Sequence, residues 1–149
     1  MEERRFTFEQ IVGSSVEMIS VEAEEFANAE SYKWLWDQMK RLPKVDFDFD
    51  SWKDVTGDDN DSKISVVIRN TSWVIELSNN MGFFDFNFIE KLNEIIETLN
   101  LSQNRFRNVS PGGVENNYGS VDIVFLPKGI IDKLDENGYG LGDEKWFGV

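Results

Sequence analysis

The chain of 149 residues carries 28 acidic and 15 basic residues, which gives a formal net charge of −13 at pH 7. This charge disfavours non-specific binding to DNA or RNA, because such binding depends on Lys and Arg replacing counterions along the phosphates. It equally disfavours anionic membrane surfaces. The chain has no Cys and no His, so disulfides, zinc–thiolate sites and thiol nucleophiles are excluded, and the usual general acid–base side chain is missing.

The length suits a single domain over residues 1–149, and 40% hydrophobic residues can form its core. The charged start after Met1 is not followed by an apolar segment, so we expect no signal peptide. No run of about 18 apolar residues that could span a bilayer is present. These observations predict a soluble, acidic, cytoplasmic protein of bacterial type.

The first elements are a short helix and a strand. The motif TFEQ at residues 7–10 resembles a capping box, which predicts a helix as far as Val12 that stops at Gly13. Residues 15–22 contain several β-branched side chains and predict a strand. The alternative is that the next helix begins early in this stretch.

Apolar residues at steps of three and four predict the first main helix, over about 27–41. They are Tyr32, Leu35, Trp36 and Met39. Trp34 lies off this stripe, so we expect it to be exposed. An exposed Trp is typical of contact sites, although packing against the N-terminal segment is the commoner alternative.

The middle of the chain predicts a β-hairpin, with strands over 63–69 and 72–78. An apolar stripe of helical period follows and predicts the second main helix, over about 87–100. Asn87 and Glu90 have the spacing of a capping box at its start.

The last third of the chain predicts strands over 105–109 and 120–126, a short helix over 129–136, and an apolar tail at 145–149 that docks as a final strand. The sequence therefore predicts an α+β fold in a single domain. Its sheet is mostly antiparallel, and its two main helices, at about 27–41 and 87–100, pack on one face.

The most unusual stretch is KVDFDFDSWKDVTGDDND, residues 44–61, which contains seven aspartates. A calcium-binding EF-hand loop starting at Asp46 would need Gly at its sixth position and Glu at its twelfth. Those positions hold Ser51 and Gly57. The sequence therefore predicts no metal site here.

Residues 45–50 alternate apolar and acidic side chains, which is typical of a strand. The strand would point Phe47 and Phe49 inward and the interleaved carboxylates into solvent. The exposed acidic row has two interpretations. It is either a solvated edge that discourages aggregation or an electronegative surface for a basic protein.

The second interpretation names a set of partner-binding residues. Trp52 follows the acidic row and is either an interface anchor or part of the core. The predicted set is Asp46, Asp48, Asp50, Trp52, Asp54, Asp58, Asp59, Asp61 and Trp34.

No catalytic residue and no cofactor is predicted. The expected function is that of a non-enzymatic acidic binding protein, such as an immunity protein or inhibitor, which occludes a basic protein partner such as a toxin or nuclease. No oligomeric state is predicted. The alternatives are an α+β domain that binds a small ligand and a carboxylate-dependent hydrolase.

Overall fold

The structure is a computed structural model that describes residues 6–58, 61–78, 82–113 and 119–141. The elements in chain order are α1 (Phe8–Val12), β1 (Ile19–Glu22), α2 (Ala29–Met39), β2 (Ser51–Asp54), β3 (Ser62–Ile68), β4 (Thr71–Leu77), α3 (Asn87–Leu99), β5 (Asn104–Val109), β6 (Ser120–Pro127) and α4 (Lys128–Glu136).

The strands form two antiparallel sheets of three strands each, in the orders β1-β6-β5 (the first sheet) and β2-β3-β4 (the second sheet). The α+β fold predicted from the sequence is therefore confirmed, although the strands divide between two sheets. Helix α3 contacts both sheets, through β4 of the second sheet and β5 of the first. Its Asn93 side chain exchanges two hydrogen bonds of 2.9 Å with the backbone N–H and C=O of Phe106, at the edge of β5.

The predicted hairpin is confirmed as β3 and β4, which pair from Ile68 opposite Thr71 to Ser62 opposite Leu77. The turn consists of Arg69 and Asn70, one residue earlier than the sequence predicted. Both residues are left-handed, with φ of 48° and 63°. Positive φ at both central positions is the geometry of a type I′ turn, whose twist matches that of the two strands.

The capping box of α1 is confirmed. The Thr7 hydroxyl accepts a hydrogen bond of 3.1 Å from the Gln10 amide, and the Gln10 side chain accepts one of 2.8 Å from the Thr7 amide. The helix ends at Gly13, where φ is 88°. The strand expected over 15–22 is shorter, because only Ile19–Glu22 pairs with β6.

The capping box predicted for α3 is wrong. Asn87 is the first helical residue, and it follows Phe86, whose side chain makes no capping bond. Asp85 accepts a 2.9 Å hydrogen bond from the Asn87 amide. The Asn87 side chain instead donates to the carbonyl of Glu76 in β4, at 2.8 Å. The side chain therefore joins α3 to β4 rather than closing the helix on itself.

Two hydrophobic cores hold the elements together. The main core lies among α2, α3 and the facing sides of both sheets, and its fully buried side chains include Trp36, Tyr32, Phe88 and Phe106. The second core packs α1 and α4 on the other side of the first sheet, around Leu134. Alternate residues of β6 contribute to the two cores, so the first sheet is covered on both faces.

None of the described helices combines the length and the apolar character needed to cross a membrane. The strand predicted at 145–149 lies outside the described residues.

Candidate functional site

Residues 44–61 are called here the acidic segment. Its first residues, 44–50, do not form a strand. The strand predicted over 45–50 is wrong, because β2 starts only at Ser51. Lys44 is left-handed, with φ of 70°, and the Phe49 amide donates to the carboxylate of Asp48 at 2.7 Å instead of to a neighbouring strand. A local side-chain bond of this kind competes with strand pairing.

The alternation of side chains in this stretch is nevertheless confirmed. Phe47 and Phe49 are half-buried against the main core, and the aspartates between them are exposed. The centroids of the two rings lie 5.9 and 5.1 Å from that of Trp36. These distances fall within the range of favourable aromatic pairs, about 4.5–7 Å. The aromatic contacts therefore fix the backbone that carries the carboxylates.

Asp48 is the most constrained aspartate of the acidic segment. Its Oδ1 accepts a hydrogen bond of 2.8 Å from Trp36 Nε1, and its Oδ2 lies 2.9 Å from Lys40 Nζ. Partial burial would raise the pKa of Asp48, but the hydrogen bonds from Trp36, Lys40 and the Phe49 amide outweigh it and lower that pKa below its ordinary value. The carboxylate is thus ionised and already accepts hydrogen bonds from other residues of the chain.

The charges continue from Asp48 along the surface of α2. Lys40 Nζ also lies 3.4 Å from Asp37, and Lys33 Nζ lies 2.8 Å from the same carboxylate. The hydrogen bond from Lys33 is the main reason that the pKa of Asp37 is lowered. Lys33 Nζ also stands 5.5 Å from the ring centroid of Trp52. Trp52 is half-buried, so the structure places it beneath a lysine and beside the core.

Asp46 and Asp50 differ from Asp48, because neither forms an ion pair with another described residue. Both are exposed. The backbone amide of Asp50 is bonded to the carbonyl of Val67 at 2.7 Å, so this end of the stretch is held by the second sheet. The two carboxylates consequently project into solvent from a fixed backbone.

The later described aspartates lie at the end of β2 and in the connection to β3. Asp54 accepts hydrogen bonds from the hydroxyl and the amide of Thr56, and these bonds lower its pKa. Asp58 and Asp61 are exposed, whereas Asp59 lies outside the described residues. The structure therefore divides the predicted acidic row. Asp48 and Asp54 bond within the chain, whereas Asp46 and Asp50 form no ion pair with a described residue.

Trp34 is 51% exposed, as the sequence predicted. Trp34 follows Lys33, which contacts Trp52 of the acidic segment, but successive helical residues are rotated by about 100°, so Trp34 faces a different direction. It lines a groove of about 430 Å³ with Val21 and Phe26 instead.

Two glutamates, Glu25 and Glu30, also line this groove. They belong to a run, EAEEFANAE at residues 22–30, that holds four glutamates and neither Lys nor Arg. Sequence reasoning missed this second acidic surface, although counting charges in short windows could have found it. Glu30 is close to Trp34 because the two residues are four apart in α2, whereas Glu25 precedes the helix.

Comparison with known proteins gives no matching family model, no matching curated protein and no matching solved structure. Within the four described ranges, no three Asp or Glu side chains form a group that could hold a metal ion.

Proposed function

We propose that the protein is a non-enzymatic, cytoplasmic binding protein that occludes a basic protein partner, as an immunity protein or inhibitor does. The observation that supports this proposal is the pair Asp46 and Asp50. Both carboxylates are exposed and form no ion pair with a described residue, and both lie on a stretch whose Phe47 and Phe49 pack against the main core.

The charge balance of the acidic segment favours a cationic partner. It contains seven aspartates and only two lysines, Lys44 and Lys53, so the segment has a strong excess of negative charge. Attraction between opposite charges across an interface mainly raises the association rate, by about 10–10³-fold in steered complexes. Like charges on the acidic segment repel one another in the free protein, and a basic partner would relieve this repulsion.

Rigidity supports the same proposal, because ordering a flexible segment on binding reduces affinity. The bonds of Asp48 to Trp36 and Lys40 hold the acidic segment against α2 before any partner arrives. Asp46 and Asp50 both project from this held stretch, so they can meet two different basic side chains of one partner.

The proposal is tested by capturing cationic proteins from a lysate of the source organism at low salt, then purifying the captured protein. We expect a stoichiometric complex in which the partner's own activity is blocked. The variant Asp46→Lys with Asp50→Lys should lose the complex. A complex that survives this double charge reversal, or a capture experiment that yields no basic protein, would contradict the proposal.

One observation favours the alternative that the protein binds a small ligand. A groove of about 600 Å³ is lined by residues that include Phe8, Val16, Met18 and Tyr139, and its volume lies within the usual range for ligand sites, about 300–1,000 Å³. Salt separates the two functions. The distance over which salt screens charges falls to about 3 Å at 1 M ionic strength. A charge-steered complex therefore weakens strongly in high salt, whereas the binding of a ligand by these apolar side chains does not.

A further inference from the structure

We propose that the groove beside Trp34 is a subsite for an arginine side chain of the basic partner. This inference rests on the proposed function and extends it, because it assigns a recognition role to a surface separate from the acidic segment. The groove is defined by Trp34, Val21 and Phe26, with Glu25 and Glu30 also lining it.

The first argument is the exposure of Trp34. Its side chain is 51% exposed, although Trp36, two residues further along the same helix, is completely buried. The neighbouring lining residue Phe26 is held in place, because its side chain is only 1% exposed and its amide donates to the carbonyl of Gly82 at 2.8 Å. An indole on a fixed wall offers a flat, electron-rich face to a cation.

The groove beside Trp34 also carries negative charge. Glu25 and Glu30 are exposed and form no ion pair with any residue that the structure describes. Glu22 and Glu24 line a neighbouring depression, which adds two further negative charges. The N-terminus of α2 contributes only about half a positive charge, and Asn28 already accepts a hydrogen bond from the Ser31 amide there. The groove therefore attracts a cation rather than an anion.

The chain already holds one of its own lysines beside an indole and a carboxylate. Lys33 Nζ lies 5.5 Å from the ring centroid of Trp52 and 2.8 Å from a carboxylate oxygen of Asp37. A cation is thus held between an indole and a carboxylate at Lys33, the residue that precedes Trp34 in α2. The Trp34 groove brings together the same two kinds of group, and the cation there would come from the partner.

Arginine fits this combination better than lysine. Its guanidinium is planar, so it can stack on an indole while its N–H groups bond to carboxylates in the same plane. Lysine is a compact point charge that cannot do both as well. The groove should therefore bind arginine more tightly than lysine.

The test is an NMR titration of the ¹⁵N-labelled full chain with the peptide acetyl-Gly-Arg-Gly-amide. The indole N–H signal of Trp34 is assigned by its loss in Trp34→Phe. We expect a saturable shift of this signal with the arginine peptide, a smaller shift with the lysine peptide, and none with the neutral citrulline peptide. No saturable shift with arginine, an equal or larger shift with lysine, or an equal shift with citrulline would overturn the proposal.

Variants locate the binding. Glu25→Gln with Glu30→Gln should abolish the shift. A matched control, Glu97→Gln with Glu136→Gln, removes the same charge from exposed positions elsewhere and should leave the shift unchanged. Equal weakening by both pairs would mean that net charge alone attracts the peptide, and the proposed subsite would be wrong.

The same titration separates this inference from the proposed function. Asp46→Lys with Asp50→Lys should still bind the arginine peptide, because neither residue lines the Trp34 groove. If the peptide fails to bind wild-type protein while partner capture still depends on Asp46 and Asp50, only the subsite is wrong. If the peptide binds but no basic protein is captured, the subsite stands and the proposed function fails.

Discussion

The buried indole of Trp36 donates a hydrogen bond of 2.8 Å to the carboxylate of Asp48, whose side chain is 48% exposed. This bond joins the main core to the acidic segment. It also shows that one aspartate of the row stabilises the fold. A test of partner binding by charge reversal should therefore target Asp46 and Asp50 and leave Asp48 intact.

Replacement of Asp48 should weaken the fold. In Asp48→Ala the indole N–H of Trp36 loses its acceptor, and a lost buried hydrogen bond reduces the free energy of unfolding by about 1–2 kcal/mol. Asp48→Asn keeps an acceptor oxygen and should cost less. Urea unfolding of the three proteins measures the difference, and equal midpoints for Asp48→Ala and wild type would show that the bond contributes nothing.

Acid should remove the stabilisation that Asp37 and Asp48 provide. Both pKa values are lowered in the folded state, so each carboxylate stabilises the fold above its ordinary pKa of 3.8. That contribution is lost as the pH falls below this value toward the folded-state pKa. Urea unfolding at a series of pH values should show a shallower acid-side loss in Asp48→Asn than in wild type. Parallel curves would contradict this assignment.

Charge reversal at Asp46 and Asp50 should affect binding and spare the fold. Both side chains are exposed, so Asp46→Lys with Asp50→Lys should change the free energy of unfolding by no more than about 0.5 kcal/mol. The association rate with the captured basic protein should fall at least about tenfold at low salt.

The matched control reverses two exposed acidic residues on α4, Asp132 and Glu136. It makes the same change in net charge at a distant surface. Stopped-flow association over a range of salt concentrations should show a reduced salt dependence for the Asp46 and Asp50 variant. An equal effect of the control would assign the steering to net charge.

Gly140 should be required for an ion pair. Arg107 Nη2 lies 3.0 Å from Asp135 Oδ1, and a Cβ atom added at Gly140 would lie 1.7 Å from that oxygen. Gly140→Ala should therefore displace the carboxylate and cost up to about 1 kcal/mol, the usual limit for a partly exposed pair. In an Asp135→Ala background the same substitution should cost less. Thermal unfolding of the four proteins tests this, and additive effects would contradict it.

The elements that sequence predicted correctly have strong local signals. The apolar spacing from Tyr32 to Met39 lies within one helix, and the inward direction of Phe47 and Phe49 follows from simple alternation. The strand expected at 45–50 failed because the Asp48 side chain binds a backbone amide that a ladder would need. The hydrogen-bond partners of a single side chain depend on its position in the folded chain. The alternation of apolar and polar residues in the sequence does not reveal that position.

Parts of the candidate site also depend on residues distant in sequence. The Trp34 groove forms only where Val21 and Phe26 meet α2, so neither the exposed indole nor the glutamate run indicates it alone. Likewise, the Asp85 side chain accepts the hydrogen bond from the first backbone amide of α3, in place of the predicted capping by Asn87. The side chain of Asn87 is drawn to a carbonyl of β4 that becomes its neighbour only in the folded chain.

The contact between Asn93 and Phe106 has a consequence for behaviour at high concentration. A strand with unsatisfied N–H and C=O groups along its outer side can template the addition of a strand from another molecule. Asn93 saturates both groups of Phe106, and Leu141 bonds to the carbonyl of Asn108 further along the same margin. The Asn93 side chain and the Leu141 backbone therefore occupy hydrogen-bonding groups at the outer edge of β5. Self-polymerisation through this strand is disfavoured as a result.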